Sequence, residues 1–380
     1  IDASLHNEQI NALPLSGLHR TPSEVNNKNS SNQFLFGSSV QYANKLFNAG
    51  ITAYHSYYTH AFKTNHLPYN RFKFSGNRLT NLGINYNYTL HNTYLFGEIA
   101  HSTGSGYAFI NGLMSALSPQ VSLSLLHRSY QKNYHSFYNQ ALAEATTASN
   151  ETGFYTGLLI KPNAKWEWFA YADVFQFSWF RLQADAPSKG HELLSQLSYQ
   201  PNKKLKMIVR YRLKVKEEND KLKKSIASLE QVQKQTYRAE VHCHLNPSLL
   251  LRNRLELANY KRQYTPQPQW GYMLYQDVVY KPLQSKFSGN IRVAYFNIDH
   301  YNARIYAYEN NILYGYTMFL YQNKGLRYYI NGRYTLRKGV DLWCKYGLTY
   351  YFNKETVGSG PDQTQGNKRS EVHLQLRYQF

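Results

Sequence analysis

The last ten residues of the chain, EVHLQLRYQF, place Val372, Leu374, Leu376, Tyr378 and Phe380 on one phase of a period-two pattern and Glu371, His373, Gln375, Arg377 and Gln379 on the other. Such alternation predicts a strand whose two faces meet different media. The interior repeats it. Leu205, Met207, Val209, Tyr211, Leu213 and Val215 alternate with Lys206, Ile208, Arg210, Arg212, Lys214 and Lys216. Leu326, Tyr328, Ile330, Tyr334 and Leu336 alternate with Arg327, Tyr329, Asn331, Arg333 and Arg337. Beyond a turn at Lys338 and Gly339, Val340, Leu342, Cys344, Tyr346, Leu348, Tyr350 and Phe352 alternate with Asp341, Trp343, Lys345 and Thr349. Strands of soluble proteins usually run about five or six residues. These runs reach about ten or more, the length a tilted strand needs to cross a bilayer.

The predicted joints fall into two alternating classes. Tight turns are expected near Asn48, His91, Pro119, Pro162, Pro201, Pro247, Pro282, Asn310 and Lys338, and mostly longer polar stretches near residues 64–77, 131–150, 178–189, 217–234, 264–270 and 354–368. Short turns on one side and long loops on the other belong to outer-membrane barrels, whose short side is periplasmic. The predicted fold class is all-β, a large antiparallel transmembrane β-barrel with about 18 to 20 strands in this sequence, short periplasmic turns and long extracellular loops. Residues 33–380 form the wall, and residues 1–32 a polar extracellular segment without alternation. In EENDKLKKSIASLEQVQK, residues 217–234, Leu222, Ile226, Leu229 and Gln233 recur at helical spacing, which predicts a helical extracellular loop.

Composition agrees with a strand-built membrane wall. The chain holds 36 Tyr and 19 Phe, with 17% charged residues, yet its mean hydropathy is −0.59. No stretch approaches the roughly 18 apolar residues of a membrane-spanning helix. Tyrosine excess suits aromatic girdles at the membrane interfaces. Cys243 and Cys344 supply no disulfide framework.

The carboxyl end resembles the closing strand of bacterial outer-membrane barrels, which assigns Val372, Leu374, Leu376, Tyr378 and Phe380 to a membrane-insertion strand. Counting back from a periplasmic end makes the first clear strand, near Gln33 to Leu46, run downward as well. Single-chain bacterial barrels have even strand numbers. The parity predicts strands completing the barrel, from an upstream fragment or from partner proteins.

Six stretches carry a more specific resemblance: GLHRTPSE from Gly17, FGEIAHSTGSGYAFINGL from Phe96, SLLHRSYQKNYHSFYNQALAE from Ser124, NETGFYTG from Asn150, DAPSKGHELL from Asp185, and SGPDQTQGNKRSEVHLQLRYQF at the carboxyl end. Together they resemble the carboxyl-terminal barrel region of Bacteroidota helix-hairpin-helix, competence-protein-like proteins. The resemblance implies a barrel preceded by further barrel-like sequence, and a DNA-related role that no residue of this chain carries by itself.

Charge narrows the partners. The formal net charge is +20. Arg210, Arg212, Lys214, Arg238, Arg252, Arg254, Arg292, Arg327, Arg333, Arg337, Lys345 and Arg377 fall on the polar phase of the strands, so they are expected to line a lumen. Basic rings attract anions in selective pores. The alternative is that these cations pair with Glu240, Glu256, Asp341 and Glu371 to brace the wall or hold a plug. The surplus implies anionic neighbours: lipopolysaccharide phosphate, nucleic acid or a partner protein.

Chemistry-bearing motifs are sparse. His242 and His244 with Glu240 have the spacing for two or three metal donors on one strand face, but polar lining is the simpler account and no metal or other cofactor is expected. The glycine-rich TGSG at Thr103 and GSGP at Gly358 lack the Lys and strand-to-helix context of a phosphate loop. A rim-located hydrolase would draw on Asp173, Asp185, His135 and His300. Non-enzymatic function is the expectation: an outer-membrane channel or membrane part of a translocation complex for anionic or polymeric cargo, DNA included, with a non-conducting scaffold for partner proteins as the alternative.

Overall fold

The computed structural model describes residues 1–220 and 228–380. In chain order the elements are β1 (Ser4–His6), β2 (Gln9–Ala12), α1 (Pro22–Asn26), β3 (Gln33–Ala43), β4 (Phe47–Phe62), β5 (Gly76–Leu90), β6 (Thr93–Ser102), β7 (Tyr107–Ser118), β8 (Val121–Tyr130), β9 (Glu151–Asn163), β10 (Trp166–Phe177), β11 (Ser188–Asn202) and β12 (Leu205–Asn219). They continue with β13 (Leu229–Asn246), β14 (Leu249–Arg262), β15 (Thr265–Tyr280), β16 (Phe287–Ile298), β17 (Ile305–Glu309), β18 (Thr317–Tyr321), β19 (Asn323–Arg337), β20 (Val340–Tyr351), β21 (Thr356–Val357), β22 (Thr364–Gln365) and β23 (Lys368–Tyr378). A 19-stranded sheet takes all but two pairs of these strands, β17 with β18 and β21 with β22. The expected number of strands is met with a different membership: the short β1 and β2 are inside the sheet, and β17 and β18 are outside it.

Two compact units divide the chain. The first comprises Ile1–Leu159, Tyr171–Leu193 and Val215–Gln231; the second comprises Ile160–Ala170, Leu194–Lys214 and Val232–Phe380.

In the first unit, β3 to β8 form consecutive antiparallel pairs. Leu82 and Ile84 of β5 are exposed while Asn81 between β4 and β6 is buried. Residues 1–32 are more ordered than their polar composition predicts. Asn7 and Glu8 both take positive φ, 50° and 59°, and close the β1–β2 hairpin. β2 then pairs in parallel with the end of β4 through Gln9 with Ala61 and Ile10 with Phe62. Ala3, Ile10 and Tyr58 form a buried apolar cluster against Phe62 and Phe137. Helix α1 is set by a capping box between Thr21 and Glu24 with Pro22 at its start. A few apolar residues at the right spacing suffice for docking, and alternation statistics do not register them.

In the second unit, β13, β14, β15, β16, β19, β20 and β23 pair antiparallel in that order. The burial pattern is the reverse of a soluble sheet. Arg292, Arg327 and Lys345 are at most 1% exposed, whereas Leu374 is 68% exposed and Leu274, Ile291, Ile330 and Leu342 are exposed too. Water-facing sheets bury their apolar phase; a wall facing hydrocarbon exposes it. The β19–β20 turn uses Gly339 at φ +82°, where the Gln379 backbone N–H donates to the Gly339 carbonyl at 2.7 Å.

Four expectations are corrected. The longer stretch near residues 264–270 is a two-residue joint between β14 and β15, with residues 265–270 inside β15. The tight joint near Asn310 is the tip of the separate β17–β18 hairpin, whose register runs from Ile305 with Tyr321 to Glu309 with Thr317. Each arm has five residues, half of what a bilayer crossing takes. The helical loop over 217–234 is overtaken at both flanks by β12 and β13, because period-two pairing continues there, with Val232 opposite Arg262. Residues 221–227 of that stretch lie outside the described residues. Arg337 leaves the cationic phase: a register shift between Thr335 and Arg337 puts it opposite Val340 at the turn.

Candidate functional site

The β17–β18 hairpin lies on the cationic face of the second unit, and the wall strands hold it by its backbone. Lys234 Nζ of β13 donates to the Arg304 carbonyl at 2.8 Å, Arg254 Nη2 of β14 to the Tyr306 carbonyl at 3.3 Å, and Arg292 Nη1 of β16 to the Tyr308 carbonyl at 2.7 Å. Alternate carbonyls of an extended strand point the same way, so residues 304, 306 and 308 offer one acceptor row. The three donors come from three wall strands, and β17 therefore crosses the wall strands. Asn331 Nδ2 adds a bond to the Asn311 carbonyl at 3.2 Å.

One carboxylate anchors the hairpin from its own side. Glu309 is fully buried and accepts from Arg327 Nε at 3.2 Å, Arg327 Nη2 at 2.9 Å, Lys345 Nζ at 3.4 Å and the Tyr321 hydroxyl at 3.3 Å. Arg327 also bonds Glu371 and stacks 4.2 Å above the Phe319 ring of β18. A buried carboxylate persists only when paired and hydrogen-bonded, and Glu309 meets both conditions.

The rest of the hairpin sits on an apolar floor. Ala303, Ile305, Ala307 and Tyr321 pack with Ala258, Met273, Ala294 and Phe296 of the wall. These wall residues share strand phase with Arg254, Tyr275 and Arg292, so each strand's inner phase changes from charged to apolar along its length. That change is visible in the sequence as Ala258, Met273 and Ala294 interrupting a cationic phase, and it is the signal that marks the docking place.

Of the expected basic residues, the structure brings most into shared ion pairs. Arg238 at 2.9 Å and Arg254 both contact Glu256. Arg292 forks onto Asp277 at 2.5 and 2.7 Å, with Arg252 at 3.9 Å from the same carboxylate. Arg327 and Lys345 share Glu309, and Arg333 at 2.8 Å and Arg377 at 2.6 Å share Asp341. Glu240 also lies 3.7 and 3.8 Å from Arg238 and Arg254, and Glu371 contacts Arg327 and Lys345, so these eight cations meet six carboxylates and the cluster keeps net positive charge. Arg210 bonds the neutral Gln196 through Nε at 2.8 Å. Arg252 Nε has no hydrogen-bond partner. Arg212 and Lys214 lie on β12, and Arg337 lies at the turn.

The first unit holds a buried ion triad that the alternation pattern did not single out. Arg128 donates through Nε to Glu151 at 2.6 Å and through Nη1 and Nη2 to Asp173 at 2.7 and 3.1 Å. Glu151 also accepts the Glu144 and Ala145 backbone N–H groups, which ties the 131–150 loop to the wall.

The candidates for enzyme and metal chemistry have structural partners. Asp173 serves Arg128. Asp185 takes the Asn219 side-chain amide at 2.9 Å. His135 is held through its backbone by Ser102 and Asn81, with its ring 5.8 Å from that of Phe74, and burial pushes its imidazole below the ordinary histidine range. His300 precedes the short turn at Tyr301–Ala303. His242 Nε2 lies 3.3 Å from Glu240, while the His244 backbone bonds Lys204. Among the described residues no group of three His, Cys, Asp or Glu is placed to hold a metal ion.

No protein-family model matches the chain, and no curated protein matches it in sequence. Among solved structures it is similar to the FrpB iron transporter from Neisseria meningitidis (F3-3 variant), at 8% identity over 92% of this chain and 63% of that one, with a TM-score of 0.51. The chain therefore spans a little under two thirds of that transporter. It is also similar to Acinetobacter baumannii OccAB2, at 11% identity over 92% of this chain and 91% of that one, TM-score 0.43, and to an anion-selective porin from Comamonas acidovorans, at 11% identity over 92% and 100%, TM-score 0.40. At such identity the FrpB likeness bears on fold alone, and the lower scores add no argument. The fold is that of the bacterial outer-membrane β-barrels, and the exposed apolar phase of its strands places the chain in that membrane.

Proposed function

We propose that this chain is the wall of an outer-membrane channel for anionic cargo, with the β17–β18 hairpin as a constriction on its lumenal face. The supporting observation is that Arg238, Arg252, Arg254, Arg292, Arg327, Arg333, Lys345 and Arg377 share six carboxylates, those of Glu240, Glu256, Asp277, Glu309, Asp341 and Glu371, which leaves the cationic face positive after its ion pairs have formed. Positive potential in a low-dielectric channel concentrates anions. The similar fold of the FrpB iron transporter makes transport the natural class. The resemblance to Bacteroidota helix-hairpin-helix proteins adds DNA as a polymeric cargo, and lipopolysaccharide phosphate is a second anionic neighbour of the same chemistry. The chain works without catalysis in this reading.

The test is reversal potential in planar bilayers under a salt gradient, with the protein purified from its membrane. Anion selectivity is expected, and Arg210→Glu with Arg252→Glu should lower it severalfold. Cation selectivity would overturn the reading. If DNA is carried, its binding should weaken steeply as salt rises. One observation favours the scaffold alternative, namely the packing of the hairpin on the face that would conduct. Absence of conductance in both the natural protein and a hairpin-released variant would select it.

A further inference from the structure

Within the first unit, the 131–150 loop and strands β4 to β8 bound a cavity of about 440 Å3, the size of a small-molecule site. Small wall residues make the room. Gly83 stands opposite Ala100 and Ala100 opposite Ala108, and the loop sets Tyr134 and Tyr138 against them. Tyr54 and Tyr130 complete a set of four aromatic rings. Three of the hydroxyls are already engaged: Tyr54 Oη lies 2.8 Å from Ser136 Oγ, Tyr130 donates to the Leu142 carbonyl at 2.8 Å, and Tyr138 accepts from Gln33. These tyrosines therefore offer the cavity rings and not free hydroxyls.

Two acceptors stay open. Glu98 lines the cavity in a chain of net charge +20, yet among the described residues no cation pairs with it and no donor bonds it. Its Oε1 lies over Gly83, 3.4 Å from where a Cβ would stand. Asn81, another lining residue, is 3% exposed. Its Nδ2 donates to the His135 carbonyl at 2.7 Å and to Ser102 Oγ at 3.2 Å, which leaves Oδ1 buried without a partner. A buried acceptor without a donor costs free energy that a donating ligand returns. Asn81 and Gly83 share a strand face two residues apart, a step of about 7 Å.

We propose that this cavity binds a small guanidinium compound, with its N–H groups shared between Glu98 and Asn81 Oδ1 and its plane against the tyrosine rings. A guanidinium carries donors on opposite edges of a rigid plane, so hydrogen bonds of about 2.9 Å on either side span the step between the two acceptors. A primary ammonium has a single nitrogen and falls short of it. The bond to Glu98 is charge-assisted, and the rings add cation–π attraction. The site is independent of the channel reading, which rests on the cationic face of the second unit.

The experiment titrates the full protein in lipid nanodiscs with L-arginine, L-citrulline and L-lysine by calorimetry. Citrulline keeps the shape of arginine but carries a neutral urea, and lysine keeps the charge without the plane. Arginine is expected to bind about tenfold or more tightly than either, and Glu98→Gln to remove a similar factor. Gly83→Leu, which fills the space beside the carboxylate, should do the same. Equal binding of citrulline or lysine, no arginine binding at millimolar concentration, or unchanged arginine affinity in a folded Glu98→Gln protein would overturn the proposal. Nitration of Tyr138, which is 50% exposed, reads the unmodified protein and so needs no variant to fold. Arginine should slow that reaction and citrulline should not; a rate indifferent to arginine would overturn the proposal by itself.

Discussion

Arg327 of β19 reaches Glu309 of β17 through Nε at 3.2 Å and Nη2 at 2.9 Å, with both side chains shut off from solvent. A wall strand thereby holds the inserted hairpin by charge as well as by its backbone. Removing one partner of a buried ion pair costs about 3–5 kcal/mol. Glu371 stays near both Arg327 and Lys345, which sets Glu309→Gln at the low end. The expected result is faster amide exchange in β17 with unchanged exchange in β19 and β20, and larger single-channel conductance. Unchanged exchange in β17 would show that the carbonyl row alone holds the hairpin.

Arg128, itself fully buried, neutralises the fully buried Glu151 and the 16% exposed Asp173. Arg128→Ala strands Glu151 and Asp173 together, with an expected loss of about 3–5 kcal/mol. Combining Arg128→Met with Glu151→Gln and Asp173→Asn removes all three charges and should recover much of that loss. Urea unfolding in lipid vesicles reads both variants. A triple variant as unstable as Arg128→Ala would mean that packing, and not charge, governs the site.

The two phases of β23 should respond oppositely to charge. Leu374 lies on the exposed apolar phase and His373 on the polar one. An Arg on the lipid face costs about 2–4 kcal/mol near the bilayer midplane. Leu374→Arg should lose an amount of this order in the same titration, and His373→Arg much less. Equal losses would contradict lipid contact at Leu374.

His135 sits in the loop between β8 and β9, outside the strands, and burial lowers its pKa below the ordinary 6.5. The unfolded loop then binds the proton more readily than the folded one. Its stabilising contribution is present above the ordinary histidine range and is lost as pH falls through and below it. Protease cleavage within residues 131–150 should accelerate on acidification through that window, and His135→Gln should flatten the dependence. A pH response retained in His135→Gln would assign it to another group.

Wall strands were legible because alternation is a local property that the two media enforce residue by residue. Val372 to Phe380 and Leu205 to Val215 show their apolar phase in sequence and carry it on strands. The β17–β18 hairpin was not legible in that way. Ile305, Ala307 and Glu309 alternate with Tyr306 and Tyr308 just as a wall strand would, and only the length of the arms separates the two cases. The flanks of residues 217–234, up to Asn219 and from Leu229, misled in the other direction. Leu229 and Gln233 satisfy helical spacing by coincidence within a strand whose partner, β14, lies further along the chain.

By itself the sequence determined an all-β wall, its apolar and cationic phases, most of its short and long joints and the excess of positive charge. These follow from periodicity and composition, which need no knowledge of distant neighbours. Only the tertiary structure decided which cations share a carboxylate, that Glu309 comes from a hairpin outside the wall sheet, and that Arg337 leaves the cationic phase. Those outcomes depend on register and on contacts between residues far apart in the chain, and strand register carries no signature in any single strand.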